Sequence, residues 1–218
     1  MRNRASLLAA LTTLVLAGTA CSGDSDDDDV AVDPASSPTP SASGPPSAPV
    51  PAGPVRTRHL ATVMDTGSPE LCLGPVAESY PPQCGGPALV GWDWDTVGQG
   101  MFDQQGDIRW GTYLVTGTWD GTSFAASEAV PGALYDPAMP QETPTPAAAT
   151  AYPDLELERI ATELQAKLPG LLGAYGGAGT DGHVLADVYY DDGTFQDWAD
   201  ATYGAGVVLV SSALVDAG

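Results

Sequence analysis

Hydrophobic and polar positions along this chain follow two different periods, separated by a proline-rich break. From Val55 to Tyr135 the pattern is that of strands. Leu60-Ala61-Thr62-Val63-Met64 is a short apolar run ended by Asp65-Thr66-Gly67-Ser68-Pro69. Leu71-Cys72-Leu73 and Ala88-Leu89-Val90-Gly91-Trp92 are further short runs. Between Trp110 and Trp119 the alternation is clear, with Tyr113, Val115 and Gly117 on one face and Leu114, Thr116 and Thr118 on the other. Asp120-Gly121 predicts a two-residue hairpin turn, after which Ser123-Phe124-Ala125 returns. Short strands, glycine-rich turns and no helical period predict a small β-barrel or sandwich over 55–135.

The second half changes period. Leu157, Ile160, Ala161, Leu164 and Leu168 fall on one helical face. Asp154, Glu156 and Glu158 at its start and Lys167 at its end complement the helix dipole, and Pro169-Gly170 stops it. The glycine-rich run Gly173–Gly179 reads as a flexible connector. Val184–Tyr190 is a strand by its β-branched and aromatic content. Thr194 with Asp197 predicts a helix start, Phe195, Trp198 and Thr202 its body, and Gly204 its end. Val207–Val215 is the last strand. The predicted order over 154–218 is α-β-α-β, with the two strands parallel through a right-handed crossover. Two strands make too small a sheet, and units this short bury little core, so the halves are expected to pack together across the proline-rich linker 136–153. The fold class is therefore α+β, a barrel-like or sandwich-like unit followed by an α-β-α-β unit.

The first 54 residues have a different character. Arg2 and Arg4 precede the apolar run Leu7–Ala17 and the small residues Gly18, Thr19 and Ala20, the grammar of a secretory signal over 1–20. The run is shorter than the ~20 residues needed to span a bilayer. Cys21 follows at once. The stretch Leu16-Ala17-Gly18-Thr19-Ala20-Cys21 resembles the signal of bacterial lipoproteins of the high-GC Gram-positive type, with Gly18 where that family usually has Leu. The resemblance covers the leader only. It implies cleavage before Cys21, attachment of acyl chains, palmitate among them, to that cysteine, and a protein held on the extracytoplasmic face of the cell membrane. Residues 21–54, with Asp24, Asp26–Asp29 and then Pro, Ser and Ala, contain no aromatic residue and read as a disordered tether.

Charge narrows the functions available. The chain has 7 Lys and Arg against 28 Asp and Glu, a formal charge of −21. Loss of Arg2 and Arg4 with the leader leaves −23. Such a chain is repelled by nucleic-acid phosphates and by anionic lipid, so nucleic acid is excluded as a partner and membrane attachment has to be covalent. No Walker-type nucleotide cradle occurs.

Candidate chemistry is sparse. With Cys21 assigned to lipid, Cys72 and Cys84 remain, and in an exported protein two such thiols are expected to pair. The alternatives, a metal pair or a reactive thiol, have no neighbouring histidine and no Cys-x-x-Cys in their support. His59 and His183 read as surface polar residues. Asp93-Trp94-Asp95 with Gly98 and Asp103 does not match a calcium loop, because Val97 and Gln104 fall where oxygen ligands are required; looser calcium binding by Asp93, Asp95, Asp103 or Asp107 is the minor alternative. No metal and no cofactor is expected. Trp92, Trp94, Trp110 and Trp119 read as core rather than as a ligand face.

Asp65-Thr66-Gly67-Ser68 resembles the catalytic element of aspartic proteases, with Leu89-Val90-Gly91 mimicking a second feature of that family. The resemblance implies a homodimer, because the chemistry needs two carboxylates and the motif occurs once. With Pro69 the same residues also make an exposed turn, which is the expected role. The sequence thus predicts a membrane-anchored extracytoplasmic lipoprotein without a catalytic site, binding an extracytoplasmic protein or small ligand or serving the envelope structurally. Its rival is an acid protease built on Asp65.

Overall fold

A computed structural model describes residues 44–136 and 145–218. The expectations for the leader, for Cys21, for the tether up to residue 43 and for linker residues 137–144 lie outside the described residues. No helix among the described residues is long and apolar enough to cross a membrane.

The first half is a closed barrel. Strands β1 (Val55–Thr57), β2 (Ala61–Asp65), β3 (Pro69–Cys72) and β4 (Ala88–Val90) are followed by the single-turn helix α1 (Trp94–Val97) and by β5 (Asp103–Gln105), β6 (Ile108–Trp119) and β7 (Ser123–Pro131). Five strands close in the order β6-β2-β3-β4-β7 and back to β6, every pairing antiparallel except β4 with β7. The length of β6 makes this possible. One of its edges pairs with β2 over 109–113 and then with β1 at 116–117, while the other pairs with β5 and then β7. Alternation in β6 is as read from the sequence, with Tyr113, Val115 and Gly117 buried. The β6–β7 loop has three residues, Asp120 to Thr122, rather than two. Asp120 holds it by accepting from the backbone N–H groups of Thr122 and Ser123 at 2.8 and 2.7 Å and from both their hydroxyls at 2.8 Å.

The second half contains α2 (Asp154–Lys167), β8 (Leu171–Gly176), β9 (Val184–Val188), α3 (Thr194–Tyr203), β10 (Val208–Ser212) and β11 (Leu214–Asp216). Three strands form a sheet in the order β10-β9-β8, with β9 and β10 parallel. Both helices cover one face, where Leu157, Ile160, Leu164, Phe195 and Ala199 pack on Ala174, Val184, Ala186 and Val188. The Gln196 side chain seals the outer edge of β10, donating to Val208 O and accepting from Val210 N–H, both at 2.9 Å.

Here the structure departs from the α-β-α-β order. The glycine-rich run predicted as a connector is largely the strand β8, paired antiparallel to β9. Its glycines are there for close approach: a Cβ on Gly176 would stand 2.3 Å from Leu157 O of α2. The predicted strand 207–215 is two strands. At Ala213, whose N–H donates to Val188 O, the chain leaves the small sheet, and β11 pairs with β1 of the barrel sheet. Helix α3 starts at Thr194 and ends before Gly204 as read from the sequence, but its first turn is held by Asp191, whose carboxylate accepts from Phe195 N–H and Gln196 N–H, rather than by Thr194 with Asp197.

The two halves share a core. Tyr190 and Leu214 pack among Val55, Val63, Val115 and Phe124 of the barrel. Residues 44–54 carry no regular secondary structure, yet Pro45, Pro46, Pro49 and Pro51 are half-buried. Proline loses little further entropy when it is ordered, which suits such a strap.

Candidate ligand site

The open face of the three-stranded sheet is where the barrel and the second half form a cavity. Along β9 the side chains of Val184, Ala186 and Val188 are buried against the helices, so Leu185 and Asp187 face the other way. Strand register extends this face sideways. Asp187 pairs with Gly173 of β8 on one side and with Ser211 of β10 on the other, and Leu185 pairs with Tyr175 and Leu209. A polar row therefore lies beside an apolar one. Gly173 supplies the space: a Cβ there would meet the Tyr175 hydroxyl at 2.8 Å, so the phenol ring folds back over the glycine and forms a wall.

The barrel supplies the opposite side. Arg58, one residue beyond β1, donates from Nε to Ser212 O at 2.6 Å, and its backbone N–H donates to Ala213 O at 2.7 Å. Ser212 is itself fixed, its Oγ accepting from Asp191 N–H at 2.9 Å. Leu73 and Gly74 follow β3. The cleft between barrel and sheet, open to solvent on one side and about 290 Å³ in volume, is lined by Arg58, His59, Leu73, Tyr175, Asp187 and Ser211 among others. That approaches the lower end of small-molecule sites, at roughly 300 Å³.

Its charged groups are Arg58, exposed at the rim, and Asp187, half-buried on the sheet. The ion pairs among the described residues are Asp65 with Arg109, Arg159 with Glu156 and Glu163, and Lys167 with Glu163. Neither Arg58 nor Asp187 takes part. Burial pushes the Asp187 carboxyl above its ordinary value, with no cation beside it to bring it back down. The cavity thus holds a guanidinium without an anion and a carboxylate without a cation.

The residues singled out by sequence lie elsewhere. Cys72 and Cys84 are joined by a disulfide, with Cα atoms 5.9 Å apart, and Cys72 packs with Met64 and Trp110. Asp65 is a correction. It begins the predicted turn, its Oδ1 accepting from Gly67 N–H at 2.9 Å, but it is not exposed: only 5% of its surface is accessible. Its Oδ2 accepts from Trp94 Nε1 at 2.8 Å and from Arg109 Nη2 at 3.2 Å, and Arg109 also lies over the Trp94 ring. His183 is a second correction. It is buried, with Nδ1 2.7 Å from Gly206 O, because β9 begins inside the core shared with Val207, whereas His59 is exposed.

Asp93 caps α1 by accepting from Asp95 N–H at 2.9 Å, and Asp103 and Asp107 are exposed. No group of three or more metal-ligating side chains occurs among the described residues. Trp94, Trp110 and Trp119 are buried. Trp92 packs edge-on against Trp94 and Tyr113, and its Nε1 is buried without a hydrogen-bond partner.

Arg58, Asp187 and Ser211 are not among the residues that the sequence singles out. A signal existed for one of them, since Asp187 is the lone charge within the otherwise apolar run Val184–Val188. The chain matches no protein family, no curated protein and no solved structure.

Proposed function

We propose that this protein is an extracytoplasmic lipoprotein, held on the membrane through lipid on Cys21, whose folded body binds a small ligand in the cavity between barrel and sheet without acting on it chemically. The leader sequence supports the anchor. One observation carries the binding reading: Arg58 and Asp187 are drawn into one cavity and neither has an ionic partner. Arg58 is exposed and Asp187 half-buried. A half-buried carboxylate without a cation costs stability, a cost that a cationic group on a ligand offsets, while Arg58 at the rim is open to an anionic group on the same ligand. The engagement of Asp65 by three donors supports the absence of chemistry there, because a proton-sharing dyad needs a second carboxylate in their place.

The test is a thermal-shift screen of a small-molecule library against the full chain and against Ser211→Trp, whose indole fills the cavity from an exposed position on β10. Compounds that raise the melting temperature of the wild type and not of Ser211→Trp support the reading. A library without such a compound contradicts it.

A further inference from the structure

Resting on that reading, we infer that the cavity takes a small zwitterion, an apolar amino acid or a dipeptide carrying one, with its carboxylate on Arg58 and its ammonium on Asp187. The charges set the class. A simple anion would satisfy Arg58 but leave Asp187 unpaired and meet the repulsion of a chain at −21. A simple cation would be drawn to the chain but leave Arg58 unmatched. A ligand with both termini free pairs both groups and brings no net charge. The guanidinium is suited to the carboxylate, since its Nε is already fixed on Ser212 O and its Nη groups make no hydrogen bond among the described residues. Asp187, central in its row, has Gly173 on one side, which takes up no space, and Ser211 on the other, whose hydroxyl is a second acceptor for an ammonium.

The walls set the side chain. Leu73, Leu172 and Tyr175 border the same space, so the part of the ligand away from its charges is aliphatic or aromatic. A volume of about 290 Å³ holds a leucine or phenylalanine, or a compact dipeptide. Because a residue within a chain has neither terminus free, pairing of both Arg58 and Asp187 calls for a free, unblocked unit.

The experiment is calorimetric titration of the full chain with L-leucine, L-phenylalanine and the dipeptides Leu-Gly and Gly-Leu, alongside leucine methyl ester and N-acetyl-leucine. The four unblocked compounds distinguish the two sources of the zwitterion. Binding by any of them should weaken about tenfold or more when either terminus is blocked, the scale of one charged hydrogen bond. Arg58→Gln should weaken the unblocked ligand similarly but leave its methyl ester unchanged. Asp187→Asn should do the same with respect to the N-acetyl form, and Arg58→Lys should restore part of the loss. Because each variant is read against a ligand lacking the matching group, general damage to the fold is separated from loss of the pairing. Blocked forms binding as tightly as free ones would overturn the inference. So would failure of all the unblocked compounds to bind; if other library compounds still bound in a Ser211-dependent way, the cavity reading alone would stand.

Discussion

The indole Nε1 of Trp94 donates to Oδ2 of Asp65 at 2.8 Å, tying α1 to the end of β2 across 29 residues of sequence. Arg109 of β6 reaches the same oxygen at 3.2 Å. The carboxylate therefore joins three elements at one end of the barrel. Asp65→Asn removes the charge that Arg109 and Trp94 address and places amide hydrogens near donors. It should destabilise the protein by about 2 kcal/mol, the scale of a hydrogen bond to a charged group, discounted because Arg109 is partly exposed. Urea denaturation of wild type and variant checks this. A change near zero would mean that Asp65 only shapes a turn.

The disulfide between Cys72 and Cys84 closes a short loop beside the barrel. Replacing both by serine should lower stability by about 3 kcal/mol in the chain-entropy account. Denaturation of the variant measures it, and non-reducing peptide mapping of the purified protein should recover the linked pair. Free thiols at both positions would contradict the pairing.

Alkali should unfold the protein through buried phenols. Burial pushes Tyr113 up to about 12 and Tyr203 likewise to about 12, against about 10 in an unfolded chain. A group raised in the folded state keeps its proton there after the unfolded chain has lost it, so its contribution is complete below pH ~10 and disappears as pH rises towards 12. Urea midpoints should accordingly fall across that window. Tyr113→Phe and Tyr203→Phe should each flatten the fall, although Tyr113→Phe also loses a bond to Met101 O. A flat wild-type profile would count against both.

What the sequence disclosed follows from what each residue has to do. The alternation in Trp110–Trp119 and the helical face of Leu157, Ile160 and Leu164 were legible because burial on one side imposes a period. Strand β8 was not, because Gly173 and Gly176 serve close contacts with Tyr175 and with α2, and glycine in a sequence reads as a turn. The break at Ala213 was hidden because Ser211 and Ser212 continue the strand between apolar Val207–Val210 and Ala213–Val215, with no Gly or Pro to mark the change of sheet. The cavity was least legible. Its row Gly173, Asp187 and Ser211 is assembled by register between strands, and Arg58 reaches it from 129 residues before Asp187.

Cys21 lies at the junction that the leader resemblance identifies as a lipidation site. Cys21→Ala should move the protein from the membrane fraction to the medium or leave uncleaved precursor. Fractionation of expressing cells reads the difference, and a variant that is processed normally and stays with the membrane would refute the anchor.

The central claim is that the cavity between barrel and sheet is the binding site. Backbone amide chemical-shift mapping of the full chain, titrated with the tightest-binding compound, tests it most directly. The account predicts shifts concentrated at Gly74, Gly173, Asp187 and Ser211, with Asp65, Trp94 and Arg109 unmoved. Saturable shifts confined to Asp65, Trp94 and Arg109, or to the helix-covered face around Leu157 and Phe195, would contradict it.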